Sequence, residues 1–253
     1  MKVKTAGCII IGNEILTGKT KDSNMSYLAI ELFKSGIDLI EARHVRDIEQ
    51  DIVSAVLELS KKYDYVFTSG GIGPTHDDIT TQSIAKAFNA DVYLDEKAHA
   101  ILKEYYGDAL NEARLKMAKI PYGAELIFNH VTQAPGFYIK NVYVMAGVPK
   151  IFHAMLGEVL PKLQKGSIIS SISEIFHLPE ADIAKSLGKI AYNYAKDGVD
   201  IGSYPKIEGD SWILEIVVRS RDINLAESVM NEIKASFAEI KPSFDKKDLM
   251  SLL

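Results

Sequence analysis

Along the first half of the chain, short apolar runs alternate with stripes of helical period. Residues 6–11 form a continuous apolar run, which predicts a buried strand. Asp22-Ser23 offers cap chemistry for a helix whose Met25, Leu28, Ala29, Leu32 and Phe33 share one face, and Gly36 marks its stop. Residues 37–45 predict a second strand, and Ile48, Ile52, Ala55, Val56 and Leu59 predict a second amphipathic helix. A third strand at 65–68 leads into a glycine turn and a helix carrying Ile84, Ala85 and Phe88. This alternation predicts a parallel sheet with right-handed crossovers and helices on both faces.

Residues 96–119 read as one or two helices with no strand before them, an excursion from the sheet. Strands resume at 126–128, 136–139 and 141–145, and a closing helix covers 151–163. Residues 161–167, with Lys162, Lys165 and Gly166, read as a linker, which places the domains at 1–165 and 166–253. Beyond it the pattern is β-α-β-β-α. A strand near 167–173 precedes a helix opened by Pro179, then a strand at 199–204 and a turn at Glu208-Gly209-Asp210. In the next strand, 212–219, Trp212, Leu214, Ile216 and Val218 alternate with Ile213, Glu215, Val217 and Arg219, and a helix at about 226–240 follows. The fold class expected is α/β: a three-layer, doubly wound, mostly parallel sheet with a small carboxyl-terminal α+β domain.

Composition narrows the function. At 253 residues, 47% hydrophobic and 25% charged, the sequence is that of an ordinary globular protein. A net charge of −5 argues against a broad grip on nucleic acid. Cys8 is the single cysteine, so no intramolecular disulfide forms, and its apolar surroundings suit a buried structural thiol. No stretch approaches about 20 apolar residues, so no membrane span is expected. The first residues lead straight into a strand pattern, and the expected location is cytoplasmic.

Three strand-to-helix junctions share one design, an apolar strand and then glycine with polar residues. They are Gly12-Asn13-Glu14, the run Ser69-Gly70-Gly71-Ile72-Gly73-Pro74-Thr75-His76-Asp77-Asp78, and Gly147-Val148-Pro149. In a parallel sheet all three reach the carboxyl edge, where open α/β folds bind ligands. Glycine lets backbone N–H groups approach an anion, so phosphate is the natural ligand. The run is neither a phosphate loop with Gly-Lys-Ser/Thr nor a GxGxxG turn. Carboxylates Asp77 and Asp78 beside a phosphate cradle call for a bridging cation; alternatively, one of them caps the next helix. Asn13 and Glu14 either hold a nucleotide or a metal-bound water, or cap the next segment. Asp47 either points to the same edge or caps the helix before Glu49. His76 either donates to a phosphate or is simply solvated. The remaining histidines show no paired metal-ligand spacing.

The three motifs resemble the MoaB/Mog-type molybdopterin-binding domain, and more closely the amino-terminal half of the competence/damage-inducible protein A (CinA) family. Gly-Gly-Ile-Gly-Pro-Thr-His-Asp-Asp-Ile-Thr, with Val142-Tyr143-Val144, also resembles the molybdopterin-binding-like domain of eukaryotic FAD synthases. That resemblance covers about residues 3–163; Leu178-Pro179-Glu180-Ala181 and Gly202-Ser203-Tyr204-Pro205 resemble the small domain that follows in both families. It implies a metal-dependent nucleotide pyrophosphatase that cleaves ADP-ribose, or FAD, to AMP, with Co²⁺, Mg²⁺ or Mn²⁺ and with K⁺ as an activator. By position it implies catalytic roles for Asp78 and Asp47 and phosphate binding by Gly70, Gly71 and Gly73. The adjacent carboxylate pair adds Asp77 to the expected catalytic set and makes Asp78 and Asp77 the expected metal ligands. The wider nucleotide-binding set is Gly12, Asn13, Glu14, Ser69, Pro74, Thr75, His76, Gly147 and Pro149. Relatives with this fold also imply a homo-oligomer. The amidase and adenylyltransferase activities of longer relatives are not expected of these residues. Molybdopterin enzymes usually carry Thr-Gly-Gly-Thr-Gly where this chain has Ser69-Gly70-Gly71-Ile72-Gly73, which favours the CinA-like branch. A molybdopterin-binding protein and a non-catalytic nucleotide module are the alternative functions.

Overall fold

The first apolar run becomes β1 (Lys4–Ile11), in which every residue from Ala6 onward is buried. Such a strand needs pairing on both edges and layers on both faces. In the computed structural model, which describes residues 3–208 and 211–242, it has all four. A single helical turn, α1 (Asn13–Leu16), is followed by α2 (Asn24–Lys34), β2 (Ile37–Val45), α3 (Glu49–Lys62), β3 (Tyr65–Ser69) and α4 (Thr80–Ala87). Strand β1 pairs in parallel with β2 on one side and β3 on the other. Cys8, Ile10 and Phe67 pack with Leu28 and Leu32 of α2. Ile9, Ile11 and Val66 face the other way, onto Ile52, Val56 and Leu59 of α3 and Ile84 of α4. The period-two alternation thus splits β1 between two cores.

The excursion differs from the sequence reading. It is bracketed by β4 (Val92–Leu94) before α5 (Glu96–Tyr106) and α6 (Glu112–Leu115), and by β5 (Lys119–Pro121) after them. These two strands pair antiparallel as a separate two-stranded sheet. Asp95 caps α5 by accepting from the Ala98 N–H at 2.9 Å, and Asn111 caps α6 from the Arg114 N–H at 3.0 Å.

The chain rejoins the main sheet through β6 (Glu125–Ile127), β7 (Gly136–Ile139) and β8 (Val142–Met145), giving the order β2-β1-β3-β8-β7-β6. Strand β8 runs parallel to β3, whereas β7 is antiparallel to both its neighbours. Helix α7 (Pro149–Val159) lays Phe152, Met155 and Leu156 on the same face as α2, completing three layers. In register, Ile10 lies beside Ser69 and Ser69 beside Met145, so the loops after β1, β3 and β8 leave one edge together.

The chain divides into two compact units, Met1–Ser167 and Ile168–Leu253. Gly166 remains part of the first, its N–H donating to the Ser35 carbonyl at 3.2 Å. The second unit contains β9 (Ser170–Phe176), α8 (Glu180–Tyr194), β10 (Asp200–Glu208), β11 (Ser211–Ser220) and α9 (Ile223–Phe237). Its sheet is antiparallel, in the order β10-β11-β9, and Leu214, Ile216 and Val218 pack on Ile183 and Ile190 of α8 and on Val229 and Ile233 of α9. Gly209 and Asp210 of the expected Glu208-Gly209-Asp210 turn lie outside the described residues. Among the described residues, no helix is long and apolar enough to cross a membrane.

Strand β2 is an edge, and its charges are paired. Glu41 accepts from Lys62 Nζ at 2.8 Å, from the Tyr63 hydroxyl at 2.7 Å and from Arg43 Nε at 2.6 Å. These partners, Lys62 first, hold its carboxyl down to about 2. Its pKa is depressed in the folded state, so the cluster stabilises fully above the ordinary value of 4.5, and the contribution fades as pH falls toward 2. Glu41→Gln is therefore expected to narrow the difference between the Tm at neutral pH and the Tm at about pH 3. Thermal melts of both proteins across that range check this; an unchanged difference contradicts it.

Candidate functional site

The glycine turn after β3 is shaped by what surrounds it. Gly70 has φ +111°, and a Cβ there would sit 2.2 Å from the Ile11 carbonyl oxygen. Gly71 has φ +69°, and its Cβ would meet Thr80 Oγ1 at 2.1 Å. Thr80 is fully buried and folds the turn back on α4: its N–H donates to the Gly71 carbonyl at 2.9 Å and its hydroxyl to the Gly70 carbonyl at 3.0 Å. The N–H groups of Gly71, Ile72 and Gly73 donate to no acceptor among the described residues. Three successive donors are thereby left for a ligand.

Buried Asn24 of α2 ties two of the loops together. Its Nδ2 donates to Ser69 Oγ at 2.8 Å and to the Gly147 carbonyl at 2.7 Å. Ser69 is itself buried, and its hydroxyl helps to join the loops after β3 and β8.

Beside the turn lies a cleft of about 610 Å³. Gly12 and Glu14 line it from the first loop, Asp47 from the end of β2, and Gly147 and Pro149 from the third loop. The glycine loop contributes Gly70, Gly71, Gly73, Pro74, Asp77 and Asp78. Asn13, Ser69, Thr75 and His76 do not line it, although Asn13 and Thr75 position residues that do. His76 points away into solvent, its side chain 98% exposed.

The aspartates are held by loop backbone and not by helix ends. Asp78 Oδ2 accepts from the Thr75 N–H at 2.8 Å and from Thr75 Oγ1 at 2.5 Å, and Asp77 Oδ1 lies 2.5 Å from that same hydroxyl. One hydroxyl proton serves only one of them at a time. Asp77 is held below the ordinary carboxylate range, first by the Thr75 hydroxyl, then by a backbone N–H and by the charge of Lys116. Neither aspartate caps α4, whose first position follows Ile79 without a side-chain cap. Asp47 does not cap α3 either; its Oδ2 accepts from the Asn13 N–H at 2.8 Å, which joins β2 to the first loop.

Two carboxylates and a hydroxyl form an all-oxygen donor set. That suits a hard cation such as Mg²⁺ or Mn²⁺, which keeps waters and shares ligand phosphates. Among the described residues no group of three or more His, Cys, Asp or Glu side chains converges to hold a metal by itself. A cation here would depend on the ligand for part of its shell.

The excursion supplies a wall that no motif announced: Tyr106, Arg114 and Met117 line the cleft, as do Thr132 and Pro135 ahead of β7. The spacing of these residues carries no local signature, and Tyr106, Arg114 and Met117 reach the site only because the excursion folds back. Lys116 Nζ donates to the Thr75 carbonyl and fastens that wall to the glycine loop.

Residues 7–165 match the family model described as "Probable molybdopterin binding domain", and residues 172–243 match the FAD synthase middle domain. A Pyrococcus abyssi protein is 34% identical over 243 residues, covering 89% of this chain and 94% of its own. A probable FAD synthase of Caenorhabditis elegans is 30% identical over 261 residues, covering 93% of this chain; the match spans 50% of that protein. Among solved structures, the protein CinA of unknown function from Thermoplasma acidophilum is 37% identical, covering 63% of this chain and 98% of that one with a TM-score of 0.60.

Proposed function

Because the chain belongs to the molybdopterin binding domain family and carries an FAD synthase middle domain behind it, we propose that it hydrolyses a pyrophosphate bond in a nucleotide. ADP-ribose, or a related dinucleotide such as FAD, would yield AMP and a second phosphorylated product. One juxtaposition carries this reading: three N–H donors in a row with no acceptor among the described residues, beside two carboxylates crowded on one hydroxyl.

In this reading the Gly71, Ile72 and Gly73 N–H groups receive phosphate oxygens. Asp77 and Asp78 would hold a divalent cation, with Thr75 fixing their direction. When bound, such a cation neutralises phosphate charge and acidifies water. Asp47, anchored through Oδ2 by the Asn13 N–H, keeps Oδ1 to take a proton from the attacking water. The water oxygen adds to one phosphorus, and the bridging oxygen leaves with the other phosphate.

Purified protein is expected to release AMP from ADP-ribose or FAD with Mg²⁺, Mn²⁺ or Co²⁺, to be tested with and without K⁺, and to stop on chelation. NAD and ATP complete the panel. Tight molybdopterin binding with no AMP release from any dinucleotide would place the chain in molybdenum-cofactor biosynthesis instead. Nucleotide binding without turnover would make it a non-catalytic module.

A further inference from the structure

Four carboxylates, Glu14, Asp47, Asp77 and Asp78, line the cleft against one cationic side chain, Arg114. A polyanionic ligand entering there meets strong repulsion unless positive charge awaits it. Arg114 is held by neutral partners. Its guanidinium carbon lies 4.6 Å over the Tyr106 ring, and Nη1 donates to the Ala109 carbonyl. No described carboxylate pairs with it, whereas Arg43, Arg46 and Arg219 are each paired with an acid. A ring and a carbonyl orient the guanidinium without neutralising it, so most of its N–H fork is left for an incoming anion.

The geometry points to Arg114, presented on Tyr106, as the residue that reads the second phosphoryl group of a diphosphate. This rests on the nucleotide reading above. The glycine-loop donors and the aspartate pair account for one phosphate; Arg114 stands on a different element, two residues from the Lys116 that fastens it to Thr75. A ligand that engages both walls needs two linked phosphoryl groups. A monophosphate product engages one wall and is released. Selectivity for a diphosphate over a monophosphate is thereby built into the excursion.

Binding calorimetry with Mg²⁺ tests this without turnover, using ADP-ribose, inorganic pyrophosphate and AMP as probes. Arg114→Gln is expected to weaken ADP-ribose and pyrophosphate by about 10–100-fold, the range of a charge-assisted fork, and AMP by less than about threefold. Arg114→Lys, which keeps the charge and loses the fork, falls between. Tyr106→Leu weakens the same two probes by a smaller factor. Thermal melts establish that each variant is folded. Equal weakening of all three probes, or no change in any, overturns the assignment, and so does a wild-type protein that binds none of them. Arginine-dependent pyrophosphate binding in a protein that cleaves no dinucleotide would sustain the assignment while the hydrolase reading fails.

Discussion

Asp78→Asn is expected to lower AMP release by about 10²–10³-fold while the protein stays folded, the size of loss seen when one preorganised electrostatic group is removed from a reacting centre. The shape survives the change, since an amide oxygen can still accept from the Thr75 N–H that now meets Oδ2 at 2.8 Å. Helix α4 does not depend on this side chain, because it starts after Ile79 without a side-chain cap. What disappears is a full negative charge, and with it half of the carboxylate pair on Thr75 Oγ1. Initial rates with saturating Mg²⁺, set beside the Tm, separate chemistry from folding. Undiminished rates in a folded Asp78→Asn protein would remove the metal-site assignment. Asp77→Asn and Asp47→Asn should each give smaller losses, partly restored by extra cation for Asp77.

The largest effect on stability is expected at Gly70. Alanine there must adopt φ near +111° and place its Cβ 2.2 Å from the Ile11 carbonyl oxygen. That oxygen belongs to the buried interior strand β1, at a position paired with Val45 of β2, and cannot move aside without disturbing that pairing. Strained backbone costs about 1–3 kcal/mol and overpacking about as much again, so Gly70→Ala should lose about 2–5 kcal/mol. In a unit of this size that lowers the Tm by on the order of 10 °C. Gly157→Ala is the control, because a Cβ on that exposed face of α7 meets nothing within 4 Å. It should be neutral or slightly stabilising. If Gly70→Ala melts with wild type, the turn is looser than its geometry shows.

These two positions mark how far the sequence could be read. The glycine loop and its aspartates were legible because they follow a short apolar strand; strand β1 announced itself as a continuous apolar run, and helices α2 and α3 by their period. Strand β4 escaped notice because Val92, Tyr93 and Leu94, set between two aspartates, are too few to show an alternation. The motif placed Ser69 at the loop but could not show that its hydroxyl accepts from Asn24, a partner 45 residues earlier. Asp47 and Asp78 each had a plausible local role as helix caps, and long-range or loop contacts claimed them instead. Tyr106 and Arg114 could not be found from spacing at all. Their part in the cleft depends on the return of the excursion, secured by the Lys116 contact with Thr75.

The central claim is that this cleft breaks a pyrophosphate bond, and phosphorus NMR reads that bond directly. ADP-ribose incubated with the protein and Mg²⁺ should lose its diphosphate resonances as two monophosphate ester signals, AMP and ribose 5-phosphate, grow in equal amounts. Diphosphate resonances that persist unchanged, with a protein shown by calorimetry to bind ADP-ribose, would contradict it.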